Sequence, residues 1–107
     1  MHIDILTVLP GLLESPFQHS MMKRAQDKGL LTIEVHSLRQ WAVNEYGQVD
    51  DYQYGGGAGM VMMCEPLANA IDALAGKRKY DEIIYLTPDG ERLTQSRVNQ
   101  FSLQQNL

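Results

Sequence analysis

Four of the five residues from Gly55 to Gly59 are glycine, inside the stretch "VDDYQYGGGAGMVMM" that runs from Val49 to Met63. No helix or central strand runs comfortably through such a segment, because glycine loses more backbone freedom on folding than any other residue. The stretch therefore divides the chain into two parts, each of which has to supply its own regular structure. It also needs a use of its own, as a phosphate cradle, as a flexible linker, or as a surface that a flat group approaches closely.

Upstream of the glycines, "HIDILTVL" (His2 to Leu9) is a short aliphatic run closed by Pro10-Gly11 and reads as a strand. Ser15-Pro16-Phe17-Gln18 has the form of a helix start, with Ser15 as cap, Pro16 at the first helical position and Gln18 completing a capping box. Phe17, Met21 and Ala25 then lie on one face, Lys23, Arg24 and Lys28 stand toward the end that favours cations, and Gly29 is placed to stop the helix. "LLTIEVHS" alternates, with Leu31, Ile33 and Val35 on one face and Thr32, Glu34 and His36 on the other, so it reads as a strand with one wet face. From about Arg39 to Tyr54 no period is present, and a loop of that length in a small domain is usually functional or disordered.

Downstream, Pro66 is expected to open a helix whose apolar stripe is Leu67, Ala70, Ile71 and Leu74, closed by Gly76. "DEIIYL" (Asp81 to Leu86) reads as a strand buried on both faces, as in a parallel sheet. Thr87 to Gly90 is a turn, and Thr94 is expected to cap a last helix, with Leu93 and Val98 spaced as a hydrophobic staple. The order β-α-β-loop-α-β-α implies an α/β layered domain with right-handed crossovers. No strand is expected after the last helix, although a βαβ pattern calls for one. The chain therefore reads as the front part of a longer protein.

The 107 residues, 44% of them hydrophobic, fit one small domain, which buries roughly 60–70% of the surface its unfolded chain would expose. A formal net charge of -4 excludes a broad basic footprint for nucleic acid but not a local one. Cys64 is the only cysteine, so no intrachain disulfide can form and a reducing compartment is expected. No apolar run approaches the ~18 residues of a membrane span. "MHIDILTVLP" lacks the basic lead and cleavage site of a signal peptide. A soluble, cytoplasmic protein with no membrane partner is expected.

The candidate site residues fall in two places. Gly59 is followed by Met60 and Val61, so the lysine and hydroxyl of a phosphate-binding loop are missing, and "GGGAG" follows a long loop rather than a first strand, against a dinucleotide fingerprint. A plain flexible turn remains open. So does a backbone wall whose N–H and C=O groups read the edge of a planar group, with Tyr52 and Tyr54 placed to stack on it. Asp50-Asp51 reads as a solvated turn rather than a metal site, since no third ligand stands in spacing. His2, His19 and His36 are scattered and read as structural or solvent-facing. Met60, Met62 and Met63 read as core filling, and Cys64 as a buried small hydrophobe. No metal site is expected. Tyr85, Leu86, Thr87 and Pro88 stand where a strand meets its exit turn, the place where open α/β sheets bind ligands. An ordinary strand exit is the competing reading.

"VDDYQYGGGAGM" resembles the V-D-D-x-x-[YF]-G-G-G-x-G-M signature of the bacterial tRNA (guanine-N1)-methyltransferase family, TrmD. "IDILTVLP", "KRAQDKGLL", "EPLANAIDAL" and "IIYLTPDGERLTQ" resemble its flanking elements in order, so that the likeness covers essentially the whole chain. The resemblance implies a parallel-sheet SPOUT-type methyltransferase domain with a deep trefoil knot, working as a homodimer with shared active sites. It implies methyl transfer from S-adenosyl-L-methionine to N1 of the guanosine 3′ of the anticodon in tRNA.

By the same resemblance Gly55, Gly56, Gly57, Ala58 and Gly59 line the guanine pocket, Asp50 with the Ala58-Gly59 backbone reads a neighbouring guanine there, and Tyr85, Leu86, Thr87 and Pro88 form a wall of the cofactor pocket. The knot segment, the catalytic aspartate and arginine, and a C-terminal tRNA-binding domain are expected beyond Leu107. No catalytic residue is therefore expected within these 107 residues, and the piece alone is expected to be inactive and poor at binding the cofactor. Tyr46-Gly47 replaces a common His-Arg pair of the family, and Gln53 replaces a common proline, which implies weaker basic contacts to RNA. Two other classes stay open: a non-enzymatic RNA- or partner-docking module, and a glycine-loop nucleotide-binding protein.

Overall fold

Aliphatic residues at the start of the chain form β1 (His2–Thr7), which pairs in parallel with β2 (Thr32–Ser37) in a register running from His2 opposite Thr32 to Thr7 opposite Ser37. Parallel neighbours need a crossover connection, and α1 (Gly11–Phe17) and α2 (Ser20–Asp27) supply it. The computed structural model describes every residue from Met1 to Leu107.

The crossover differs from the single helix expected from Ser15 onward. The chain turns helical earlier, behind Pro10 at φ -59, so Pro16 lies inside α1 and Ser15 caps nothing. The helix then stops, and α2 begins at Ser20, whose φ is +54. Proline has no N–H to give to the preceding turn, which favours a break just beyond it. Gln26 joins the two pieces, because its Nε2 donates to the carbonyls of Phe17 at 2.7 Å and Met22 at 3.2 Å. The expected stripe is displaced as well: Met21 is 77% exposed, while Met22, Ala25 and Gln26 turn inward. Gly29 does stop α2. At φ +69 it lets its own N–H reach the Gln26 carbonyl and the N–H of Leu30 reach the Ala25 carbonyl, a Schellman closure.

β2 alternates as its sequence implies, with Thr32 and Glu34 exposed and Ile33 and Val35 turned in. It runs into a 3-10 turn, Leu38–Trp41, that drives Leu38 into the centre of the molecule at 1% exposure. Leu38, Val49 and Ala70 form the buried cluster, with Leu6, Val8, Trp41, Ala42 and Leu67 packed around it. Ala70 comes from α3 (Cys64–Ala75), where Ala70 and Leu74 of the expected stripe are buried, Leu67 and Ile71 are half-buried, and Pro66 is buried beside them. The helix opens two residues before Pro66, which is tolerated because first-turn N–H groups have no intrahelical partner. That earlier start leaves Cys64 exposed rather than buried.

The largest departure concerns Asp81 to Leu86. The segment belongs to no sheet and no helix, and Ile83 is 66% and Leu86 89% exposed. The buried strand expected from its sequence requires partners along both edges, and here only Asp81 has one, its N–H donating to the Asn106 carbonyl at 2.9 Å. A second departure is the tail after α4 (Gln95–Phe101), where no strand was expected. Gln105 to Leu107 lies parallel to β1. Its Gln105 carbonyl accepts from the His2 N–H at 2.7 Å, the Leu107 N–H donates to the His2 carbonyl at 2.9 Å, and the Leu107 carbonyl accepts from the Asp4 N–H at 2.9 Å. Three residues are too few to show a period. Thr94 caps α4 by accepting the Arg97 N–H at 3.3 Å as expected, but Leu93 and Val98 remain exposed rather than forming a staple.

One carboxylate ties the sheet to the segment after α3. Asp4 sits in β1 with its side chain only 2% exposed. Its Oδ1 lies 2.7 Å from His36 Nε2, and its Oδ2 accepts from Arg78 Nη1 at 2.8 Å and from the Tyr80 hydroxyl. His2 Nε2 is 3.2 Å from the same oxygen. His2 and His36, scattered in sequence, thus meet on one face of the parallel pair, because residues two apart on each strand share a face. Burial alone would raise the Asp4 pKa, but the hydrogen bonds from Tyr80, His36 and His2 outweigh it and hold the carboxyl below its ordinary 3.8. A depressed carboxylate pKa stabilises the fold above the unfolded value, and that contribution disappears as pH falls through the folded value. We expect Asp4→Asn to be less stable than the parent chain at neutral pH, with the difference shrinking as pH drops from about 5 to about 2. Urea unfolding followed by circular dichroism across that range measures it, and a pH-independent difference would refute the assignment.

Candidate functional site

The unpatterned stretch before the glycines is built rather than loose. Asn44 Oδ1 accepts from the backbone N–H groups of Tyr46 at 3.1 Å and Gln48 at 3.2 Å, and Asn44 Nδ2 donates to Gln48 Oε1 at 2.8 Å. Arg39 Nη1 holds the Gly47 carbonyl at 2.7 Å, and Gly47 itself adopts φ +75. Gln48 Nε2 then donates to the Asp50 carbonyl at 3.1 Å, coupling this turn to the next element. Tyr46 is left 94% exposed at the tip.

The glycine stretch is the connection of a β-hairpin. β3 (Asp50–Tyr52) pairs antiparallel with β4 (Met60–Met62), Asp50 opposite Met62 and Tyr52 opposite Met60. Val49, 2% exposed, pins the base, and its carbonyl accepts from the Met63 N–H at 2.8 Å. Met60 and Met62 line an exposed hairpin instead of filling the core. Their strand leaves the core immediately after Val49, and only Met63 turns inward.

In the connection Gly55, Gly56, Gly57 and Gly59 have φ of +81, +81, +117 and +93. These values lie where a side chain is strained, so the glycines are required by the backbone path rather than present as slack. Gln53 braces the loop from within, with its Nε2 donating to the Ala58 carbonyl and its own carbonyl accepting from the Gly56 N–H at 3.3 Å. A Cβ at Gly59 would stand 3.2 Å from Gln53 Nε2, whereas one at Gly55 or Gly56 would meet nothing within 4 Å. The loop therefore has a braced inner side and a bare outer one. A flat group can lie against the outer side at backbone distance.

Asp50 stands at the foot of this wall, exposed, with its carboxylate engaged by no hydrogen bond or ion pair, while Asp51 Oδ1 accepts from the Tyr52 N–H at 2.7 Å. Neighbours on a strand point to opposite faces, so Asp50 and Asp51 cannot chelate one ion together. Tyr52 and Tyr54 flank the site almost fully exposed. A histidine–carboxylate group, His2, Asp4 and Glu34, brings its ligand atoms within 4.8 Å of one another on the sheet. Both Asp4 oxygens are already engaged, one of them by the cationic Arg78, which makes the group a structural hub.

Tyr85, Leu86, Thr87 and Pro88 are all exposed, and only Tyr85 and Leu86 reach the apolar groove of about 670 Å³ that also touches Leu38, Met62 and Leu67. The Gly90 N–H closes the exit turn on the Thr87 carbonyl at 3.3 Å. The structure thus brings Asp50 and the glycines together in one hairpin and sets Tyr85 to Pro88 on a separate segment, with no hydrogen bond linking the two. Sequence reasoning missed Gln53, Asn44 and Arg39 as the residues that brace the hairpin. Asn44 and Gly47 at positions one and four of a turn were a readable signal, but nothing in the sequence marks the bracing by Gln53.

The parallel α/β core with a glycine hairpin at its margin is an arrangement of the SPOUT type. The solved tRNA (m1G37) methyltransferase from Aquifex aeolicus superposes on it with a TM-score of 0.81 and 28% identity, over all of this chain and 48% of that one. The family profile described as tRNA (Guanine-1)-methyltransferase TrmD matches residues 1–107. Proteins named tRNA (guanine-N(1)-)-methyltransferase from Flavobacterium johnsoniae and Christiangramia forsetii are 55% and 51% identical over all 107 residues. The chain belongs to the TrmD family, and it spans about half the length of these relatives, 47% of each.

Gly59→Val provides a test of the braced loop within this chain. It places a branched side chain at φ +93 and against Gln53, with an expected cost of roughly 1–3 kcal/mol confined to the hairpin. Amide exchange from Gln53 to Met60 should accelerate while the exchange of β1 and β2 stays as before. Unchanged exchange in the hairpin would mean that the loop is a slack linker.

Proposed function

We propose that this chain supplies the guanine-facing hairpin and one cofactor-facing segment of a tRNA (guanine-N1)-methyltransferase that uses S-adenosyl-L-methionine. The observation that carries the reading is the bare outer side of the glycine loop beside the unengaged Asp50 carboxylate. A guanine edge presents an acceptor at O6 and donors at N1 and N2. Backbone N–H groups can serve the first and the Asp50 carboxylate the donors of a guanine next to the one that is methylated, which is a pairing that adenine and the pyrimidines do not match in full. Tyr52 and Tyr54 offer faces on which unstacked bases of an RNA loop can lie.

The residues from Tyr85 to Pro88 fit a cofactor wall by the chemistry that they leave free. Their backbone N–H groups and carbonyls are unpaired apart from the Thr87 carbonyl, so they can hydrogen-bond a purine edge while Leu86 and Tyr85 cover its face. S-adenosyl-L-methionine, when bound, supplies an electrophilic methyl group. This chain's part is to orient the guanine ring and exclude water from one side of it, effects that act through positioning. The N1 proton must leave as the methyl group arrives, and its acceptor is assigned to polypeptide outside these 107 residues, together with the knot segment and the tRNA-binding domain. A homodimer with shared sites, acting in the cytoplasm, completes the proposal. No helix here is long and apolar enough to cross a membrane.

The test uses the full-length protein. Asp50→Ala should reduce methyl transfer to a tRNA transcript about ten- to a hundredfold, the usual worth of one bidentate base contact. Calorimetric titration with S-adenosyl-L-methionine should give an affinity within about twofold of the parent's, well inside the 1.4 kcal/mol of a tenfold change. Methylation at the parent rate would remove Asp50 from the site, and loss of cofactor affinity would move it to the other pocket.

A further inference from the structure

The group that Gln53 holds belongs to a peptide unit with two ends. Gln53 Nε2 donates to the Ala58 carbonyl from the inner side of the loop, where Gln53 is half-buried while every residue from Tyr54 to Val61 is exposed. No peptide bond of the chain is cis, and in a planar trans peptide the C=O and the N–H point in opposite directions. The N–H opposite the Ala58 carbonyl is that of Gly59. Drawing the carbonyl inward therefore aims the Gly59 N–H at the bare outer side. That N–H is free to serve there. From Gly55 to Gly59 only the Gly56 N–H has an acceptor within the protein, the Gln53 carbonyl at 3.3 Å.

Gly59 does not fix this orientation by itself. It stands at φ +93, and a residue without a Cβ adopts the opposite sign of φ about as readily. The Ala58–Gly59 peptide can therefore turn over between its neighbours with little steric resistance. Turning over would bring the Ala58 carbonyl outward and hide the Gly59 N–H, so that the outer side would offer an acceptor where it now offers a donor. The Gln53 amide is close enough to hold one state against the other, since a Cβ built on Gly59 would stand 3.2 Å from its Nε2.

The two purines differ at the matching point. Guanine carries an acceptor, O6, where adenine carries a donor, the N6 amino group. The loop with the Gly59 N–H outward suits guanine, and the turned-over loop suits adenine. We infer that Gln53 is a specificity-determining residue, acting through the Ala58–Gly59 peptide to make the hairpin accept guanine and reject adenine as the base beside the methylated one. It touches no base and is a positioning residue. The inference rests on the proposed guanine-facing role of the hairpin.

The test uses the full-length protein and two tRNA transcripts that differ only in carrying guanine or adenine next to the methylated guanosine, on its anticodon side. Gln53→Met keeps the length of the side chain and removes the donor, Gln53→Glu replaces the donor with an acceptor, and Gln53→Lys keeps a donor. The guanine-to-adenine ratio of kcat/KM should narrow about tenfold in the Met and Glu variants, the effect of one hydrogen bond to a base, and should stay within about threefold of the parent's in the Lys variant. Loss of plain structural support would lower kcat/KM on both transcripts by one factor, and an unchanged ratio in the Met and Glu variants would overturn the inference. So would a parent protein indifferent to the two transcripts, or a Lys variant with the ratio of the Met variant. Asp50→Ala separates the two levels of the argument. If it lowers methylation of the guanine transcript while Gln53→Met leaves the ratio alone, the hairpin reads guanine without help from Gln53. If Asp50→Ala methylates at the parent rate, the guanine-facing role falls and this inference falls with it.

Discussion

The Asp4 carboxylate is the point on which the remote parts of this chain converge. It is linked to His36, 32 residues away, and to Arg78 and Tyr80, 74 and 76 residues away. Hydrogen bonds to a charged group contribute about 1.5–3 kcal/mol each where they are shielded, and the Asp4 side chain is almost wholly buried. Without this contact the segment after α3 would be held mainly by the tail's few bonds to β1. With it, residues 78–80 are fixed against the sheet, and Asp81 begins its run at the edge of the groove.

The hairpin that carries the glycines follows a different logic. It is anchored at one buried residue, Val49, and otherwise shaped by its own hydrogen bonds: the Asn44 turn, the Arg39 contact to Gly47 and the Gln53 brace. This lets an exposed element hold a defined shape with almost no core beneath it. Gly47 and Gln53 both take part in that bracing. Gly47 accepts Arg39 at a positive φ, and Gln53 spans the loop where a proline would have fixed only its own φ.

The parts of the fold legible in the sequence were those fixed by local pattern. The alternation of β2, the stripe of α3, the Gly29 stop and the Thr94 cap all depend on residues within a few positions of one another, and the structure has them. The failures occurred where distant partners decide. Ser15-Pro16 carries the signature of a helix start, yet the helix had already begun at Gly11. Asp81 to Leu86 has the composition of a buried strand but lacks the neighbours that would bury it. His2 and His36 meet only through the β1–β2 register, and the tail pairs with β1 through three residues that carry no pattern. Of the site, the glycine signature located the hairpin and Asp50 beside it, whereas Gln53 and Asn44 were invisible as braces because their partners are set by the loop's path.

The two halves of the candidate site therefore differ in how complete they are. The hairpin satisfies its own backbone, since its strands pair with each other and its loop is braced from inside, so its shape does not depend on anything across the groove. Tyr85 to Pro88 has no such support: the run that leads to it leaves its N–H and carbonyl groups unpaired, and in a folded chain such groups are normally matched by partners or water. A base-reading surface that is rigid before binding suits a ligand recognised by its edge, because little ordering cost remains to be met at the encounter. In this chain the shape of the glycine hairpin is set locally, within a dozen or so consecutive residues, whereas the run before Tyr85 depends on partners that it does not itself supply.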